Sequence, residues 1–289
     1  MSRRASAPAA VRWTSYIAVA IVFAVACGFL SNWQFTRNAD RAEQLALVAR
    51  NYDAEPVALD RIITPGTLLG AADEWRPVTL QGEYVADQQL LVRNRPHGGT
   101  AAFEVLVPFR LADGRVLLID RGWVPPGEDQ PLPDQIPAPP EGDVTVIARL
   151  RPAEQLPASG RSAPEGQVPS INPELVAETL APDVGDQLEP SAYGVMVSED
   201  PAPQTRPASF AAPSEDPGPY LSYAIQWILF AIMGFVFIGY VIRTERRHRR
   251  EDAEDRARGV EPAPRDRTPA RRADRDMEDE DSILDAANR

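Results

Sequence analysis

From Leu221 to Ile242 the chain runs for 22 residues without a charge. At roughly 1.5 Å per helical residue such a run spans about 33 Å, enough to cross a hydrocarbon core. We read 220–242 as a transmembrane helix, a constraint that the rest of the chain must be arranged around. Its first turns are unusually polar, with Ser222, Tyr223, Gln226 and Trp227 crowded beside Tyr220. Ser222 and Gln226 stand four apart and so share a helix face. Polar groups at membrane depth need partners. Two readings follow: glue between helices, with Trp and Tyr in the headgroup belt, or a contact face for a hydrophobic partner or ligand.

A second apolar run, Trp13 to Leu30, follows Arg3, Arg4 and Arg12. It can be a first membrane helix, a cleaved signal, or a lipoprotein signal with Cys27 as the modified residue. Because the apolar run continues past Cys27 through Phe29 and Leu30 to Trp33, a retained helix over 13–33 is favoured. Arg243, Arg246, Arg247, Arg249 and Arg250 follow the second helix at once. By the positive-inside rule both ends, 1–12 and 243–289, are cytoplasmic, and 34–219 lies on the far side of the membrane.

The net charge of −12 excludes a strongly electrostatic nucleic-acid binder. All 30 basic residues are Arg, a sign of biased coding more than of chemistry. Between Ser31 and Tyr220 we count 14 Arg against 28 Asp plus Glu, an acidic segment long enough to build its own core. Cys27 is the single cysteine, so no disulfide holds that domain. Beyond Arg250 the chain is mixed in charge and poor in large apolar residues, the composition of a disordered tail.

Trp33 to Tyr52 lacks Gly and Pro and extends the first helix out of the membrane, with Arg37 and Arg41 four apart. Period-two patterns then take over at 76–84, 88–95, 102–109, 115–124, 143–151 and 193–197. Val78, Leu80, Gly82 and Tyr84 share one face, as do Phe103, Val105, Val107 and Phe109. Asp113-Gly114 closes a hairpin, and Pro96 to Gly99 reads as a loop. Asn172 caps a short helix with Pro173 at its first position. Seven prolines in 125–140 make a loop, and six in 201–219 make a linker to the last helix. The expected fold is a membrane protein with two transmembrane helices flanking a mainly β (α+β) extracytoplasmic domain, built on an antiparallel sheet or open barrel.

Chemistry is sparse in this pattern. His97 is the one histidine outside the cytoplasmic side, and as a lone turn residue it reads as solvent-exposed. No clustered Cys or His marks a metal site, and no glycine loop cradles phosphate. Abundant carboxylates alone are a weak basis for an outer-face hydrolase. Arg93, Arg95 and Arg121 can each take a carboxylate through two hydrogen bonds, either from a ligand or partner or from Asp120 and Glu104 in the sheet. Gly122, between Arg121 and Trp123, suggests a bend or a close approach of a neighbour.

Four landmarks in order, WQFTR at Trp33 to Arg37, LLVRNRPHGG at Leu90 to Gly99, PFRLADGRVLLIDRGWVP at Pro108 to Pro125 and YLSYAIQW at Tyr220 to Trp227, resemble the SURF1 family of cytochrome c oxidase assembly factors, of bacterial, actinobacterial type. The resemblance implies a non-enzymatic chaperone that assists haem a insertion into subunit I of an aa3-type oxidase, or stabilises that subunit. Its implied partners are subunit I, the haem a synthesis or insertion proteins and membrane lipid, with haem a held transiently if at all. It points to Tyr220, Arg93, Arg95 and Arg121 as haem contacts. Tyr220 stands where the family often has a histidine, and tyrosinate is a rarer axial ligand. Trp33, Gln34, Arg37, Gly122, Trp123, Ser222, Tyr223, Gln226 and Trp227 are the matching partner or structural positions. The alternative is a structural subunit of a respiratory supercomplex without haem.

Overall fold

A computed structural model describes residues 9–97, 99–157 and 163–259. Two compact units emerge, one from the described residues up to Trp33 with those from Ser222 onward, the other Gln34–Leu221.

The first unit is a helix pair. Helix α1, Ala9–Asn51, is continuous through the segment expected to leave the membrane, and helix α4 spans Tyr220–Ala257. Both are long and apolar enough to cross a membrane. Ala20, Cys27 and Ser31, spaced by seven and four, are buried on the apolar part of α1. Small residues let backbones approach, and the Ser31 hydroxyl donates to the Ala224 carbonyl at 2.9 Å. Gly234 meets the Phe23 ring in the same way. Large apolar side chains such as Val22, Phe29, Phe235 and Phe237 face outward.

The expected tail starts later than its composition suggests. Helix α4 continues to Ala257 because Arg249 pairs with Glu245 at 2.8 Å and Arg247 with Glu251 at 2.9 Å, one helical turn apart. The expectations for 1–8 and 260–289 lie outside the described residues.

In the second unit β1 (Val57–Ala58), β2 (Pro77–Tyr84), β3 (Leu90–His97), β4 (Thr100–Leu111), β5 (Val116–Val124), β6 (Val144–Pro152), β7 (Gln167–Val168) and β8 (Leu188–Asp200) form one sheet. Its order is β1-β2-β6-β8-β5-β4-β3-β7. The sheet is mixed, which corrects the antiparallel expectation: β1 with β2, β3 with β7 and β5 with β8 run parallel. The last arises because the chain between β6 and β8 is long and carries helices α2 (Pro173–Ala177) and α3 (Pro182–Gly185), enough length for a crossover. Nor is it a closed barrel: β2 turns from β6 to touch β4, but only over Gly82 to Tyr84. Strand β3 runs through Pro96 and His97, where a loop was expected.

Alternation along the strands gives each face its own core. Inside the curl lie Val78, Leu80, Val105, Val107, Phe109, Leu117, Ile119, Val146, Ala148 and Leu150. On the outer face Leu90, Val92, Leu106, Val116 and Leu118 pack under Ile171, Val176, Leu180 and Val184. Each such side chain contributes about 1.5–3 kcal/mol on burial. Asn172 caps α2 as its position suggests, accepting from the Leu175 N–H at 3.1 Å.

Gly82 sits where the β2–β4 seam begins, and a Cβ there would overlap the Arg110 carbonyl. Gly82→Ala is therefore expected to destabilise the protein by about 2 kcal/mol or more, read as a lowered thermal midpoint. A midpoint equal to wild type would mean that the seam yields freely.

Candidate functional site

Two polar clusters are built on opposite faces of the same strands. Inside the curl, Arg121 of β5 is a core residue, its side chain 0% exposed. Its Nε donates to Glu199 Oε1 at 2.7 Å, Nη2 to Glu199 Oε2 at 3.0 Å, and Nη1 to the Pro137 carbonyl at 2.9 Å. Tyr84 lies against the guanidinium and donates its hydroxyl to Glu199 Oε1 at 2.7 Å. Burial, then the Glu199 charge, pushes the Tyr84 phenol far above its ordinary range. The donors of Arg121, expected as a haem contact, are thus taken by Glu199 and Pro137.

The outer face holds an open cleft of about 280 Å³ over Val195 of β8. Arg149 and Arg151, outward on β6, alternate with the inward Ala148 and Leu150. Arg149 lies over the Tyr52 ring, 3.6 Å from its centroid, donates Nε to the Tyr52 carbonyl at 2.7 Å and pairs with the exposed Asp53 at 3.5 Å. Arg151 lies 4.0 Å over Trp75 and pairs with Glu74 at 3.2 Å. Trp75 is held at φ 70°, where a bulky residue costs roughly 1–3 kcal/mol. Its N–H bonds Leu150 at 2.7 Å, and Asn51 at the end of α1 holds the neighbouring carbonyls of Ala72 and Glu74 at 2.7 and 2.8 Å.

The opposite side is acidic. Val195 pairs with both Arg149 and Asp120, so a row crosses the sheet from cation to carboxylate. Asp120 is 3% exposed, and among the described residues it accepts one hydrogen bond, from the Gly122 N–H at 3.2 Å. Burial and then the neighbouring Glu104 charge raise its pKa well above the carboxylate range. Glu104 shares Arg95, at 2.8 Å, with Glu154, at 2.6 Å. Burial works against ionised Glu154 too, but the bonds from Arg95 and the Ile171 N–H outweigh it and lower its pKa. Tyr193 is buried as a residue and lines the cleft, and its hydroxyl makes no hydrogen bond among the described residues.

His97 is not the exposed turn residue expected. It is 23% exposed, bonds Glu104 at 3.0 Å, stacks on Trp123 at 5.4 Å and meets Phe210 at 5.3 Å. Phe210 belongs to 201–219, expected as a linker but laid as a strap on the domain. Ala208 and Trp123 exchange two backbone bonds of 2.9 Å, and Arg41 grips the Ser214 and Asp216 carbonyls at 2.8 and 2.9 Å. Gly122, at φ 127°, makes room for the strap, because a Cβ would strike the Ala208 carbonyl.

The remaining sequence-picked residues do not converge on this cleft. Arg93 is half-buried in the irregular stretch of β3, and Tyr220 packs on Gly218. Trp33, Arg37, Ser222, Tyr223 and Gln226 are exposed, and Trp227 is half-buried edge-on to Phe230 at 5.7 Å. Gln34 has a buried carbonyl oxygen with no hydrogen bond among the described residues. The haem contacts expected from the sequence are not gathered in one site: Arg121 is paired with Glu199 in the interior and Arg95 is committed to Glu104 and Glu154 on the outer face. Sequence reasoning missed Tyr52, Trp75, Arg149, Arg151, Asp120 as a cleft residue, Tyr193 and Phe210. The one local signal was Arg149-Leu150-Arg151, two arginines on the same side of a strand.

Set against known proteins, residues 21–232 match the model of one family, described as the SURF1 family. An uncharacterized SURF1-like protein of Mycobacterium tuberculosis is 35% identical over 246 residues, covering 83% of this chain and 87% of that protein. The cytochrome oxidase assembly protein SHY1 of Saccharomyces cerevisiae is 26% identical over 135 residues, 44% of this chain and 33% of that one. A SURF1-like protein of Dictyostelium discoideum is 27% identical over 107 residues, 35% and 40% of the two chains.

Two outcomes are expected of these clusters. Breaking the inner pair by Glu199→Gln strands the buried Arg121 charge and should cost about 3–5 kcal/mol in denaturant unfolding, whereas an apolar replacement of both partners should cost much less. The raised pKa of Asp120 means that the folded state holds its proton more tightly than the unfolded chain. Its stabilising contribution is thus full below the ordinary carboxylate range and is lost as pH rises through the folded value. Asp120→Asn should therefore raise the thermal midpoint at pH 7 and leave it near wild type at pH 4; a lowered midpoint at pH 7 would contradict this assignment.

Proposed function

The chain belongs to the SURF1 family, and we propose that it acts in the assembly of cytochrome oxidase, the role for which its yeast relative is named. The extent of the match carries this reading. Residues 21–232 take in the apolar part of α1, the sheet domain and the first turns of α4, so the likeness covers anchor and domain together.

In this reading the protein works by binding and makes or breaks no bonds itself. Its partner is subunit I of an aa3-type oxidase in the respiratory plasma membrane, and it steadies that subunit while haem a is inserted. The commitment of Arg95 and Arg121 to internal glutamates supports steadying over carrying. Contact with haem a is then transient and shared with subunit I and the insertion proteins. The outward apolar faces of α1 and α4 offer surface to lipid and to a membrane partner. The arginines from Arg243 to Arg250 support a cytoplasmic placement of both ends and an extracytoplasmic sheet domain.

Deletion of the gene should lower the haem a absorbance and oxidase activity of membranes, with recovery on reintroducing wild type. Normal levels of both in the deletion strain would overturn the proposal. Gly122→Glu should fail to complement, since the side chain has no room beside Ala208 at a φ that favours glycine. The protein should co-purify in substoichiometric amount with immature subunit I. Stoichiometric recovery with mature oxidase would instead identify a structural subunit.

A further inference from the structure

The cleft over Val195 has a cationic side and an anionic side, and neither is explained by packing alone. Arg149 donates Nε to the Tyr52 carbonyl and reaches the exposed Asp53 at 3.5 Å through Nη2, Arg151 pairs with Glu74 at 3.2 Å, and the two guanidinium groups lie over the Tyr52 and Trp75 rings. Held over these rings, the two arginines keep further N–H groups of the kind that takes a carboxylate. Across the cleft Arg95 is divided between Glu104 and Glu154, which leaves Asp120 without a counter-ion of its own. A carboxylate in that state is deficient by one cation or one proton.

The space between is sized and lined for a small ligand. Arg149 and Asp120 flank Val195 on adjoining strands, so their Cα rows lie two strand spacings apart, about 10 Å. Both side chains line the cleft. The volume, about 280 Å³, is below that of drug-sized pockets. Tyr193 lines the cleft, and its hydroxyl, without a hydrogen bond among the described residues, is open to one from a ligand. Phe210 of the strap also lines the cleft.

We propose that this cleft binds a small zwitterion of the amino-acid class, its carboxylate on Arg149 and Arg151 and its ammonium on Asp120 and Glu104, with Tyr193 completing the hydrogen bonding. The inference is independent of the assembly role. It arises from the charge layout of the outer face.

The test uses the full-length protein in detergent, labelled with fluorotryptophan, and follows the Trp75 resonance, assigned by its loss in Trp75→Phe. The probes are ω-amino carboxylates of three to six carbons, with pentanoate and pentylamine as single-charge controls. At least one zwitterion should shift Trp75 saturably and bind tenfold or more tightly than either control, and Tyr193→Phe and Asp120→Asn should each weaken it several-fold. Two variants guard against a misfolded one. Pentanoate binding as tightly as every zwitterion would reduce the cleft to an anion site and overturn the proposal. So would the absence of a saturable shift with any zwitterion.

Discussion

Arg121 and Glu199 share the interior of the curled sheet, and much else is arranged to permit it. A guanidinium and a carboxylate removed from water repay their desolvation only when their remaining donors and acceptors are met. Here Nη1 reaches the Pro137 carbonyl, and Tyr84 supplies a second donor to Glu199. The Pro-rich loop 125–140 is therefore part of the core's polar accounting through one carbonyl. The pair joins β5 to the far end of β8, two strands whose pairing is parallel and whose chain connection is long. It fixes a register that alternation of apolar residues alone leaves open by even-numbered slips.

The outer face follows from the same alternation, because every residue that turns in sets its neighbours to turn out. With Arg121 inward, Asp120 must face outward, and Gly122 leaves an unfilled position that the strap occupies at Ala208. Leu150 inward puts Arg149 and Arg151 outward. The interior thus fixes which positions face outward, and the residue types at those positions make the cation and carboxylate rows. They become a cleft only because α1 brings Tyr52, the turn before β2 brings Trp75, and the strap brings Phe210.

The parts of this fold legible in the sequence are those written in short-range pattern. Period two locates most strands and sorts Val105, Val107 and Phe109 from Leu106, and the Asn172-Pro173 pair marks the start of α2. The length and partner of β8 are hidden, since Glu189, Pro190 and Gly194 interrupt the alternation and its parallel neighbour β5 is about seventy residues away. The strap reads as a linker because proline composition reports a lack of regular structure and is silent about docking.

The candidate site shows where such reading stops. An arginine in a strand announces a donor but not its acceptor. Arg93, Arg95 and Arg121 stand out because they lie in recognisable stretches, yet Glu199 is 78 positions from Arg121 and Glu154 is 59 from Arg95. Arg149 and Arg151 look like ordinary strand arginines, and their aromatic supports lie 97 residues away at Tyr52 and in the turn at Trp75. The difference between a sealed arginine and an available one is set by long-range packing. It decides function here, because the same residue type that locks the interior when met by Glu199 becomes a ligand edge when laid on a tryptophan.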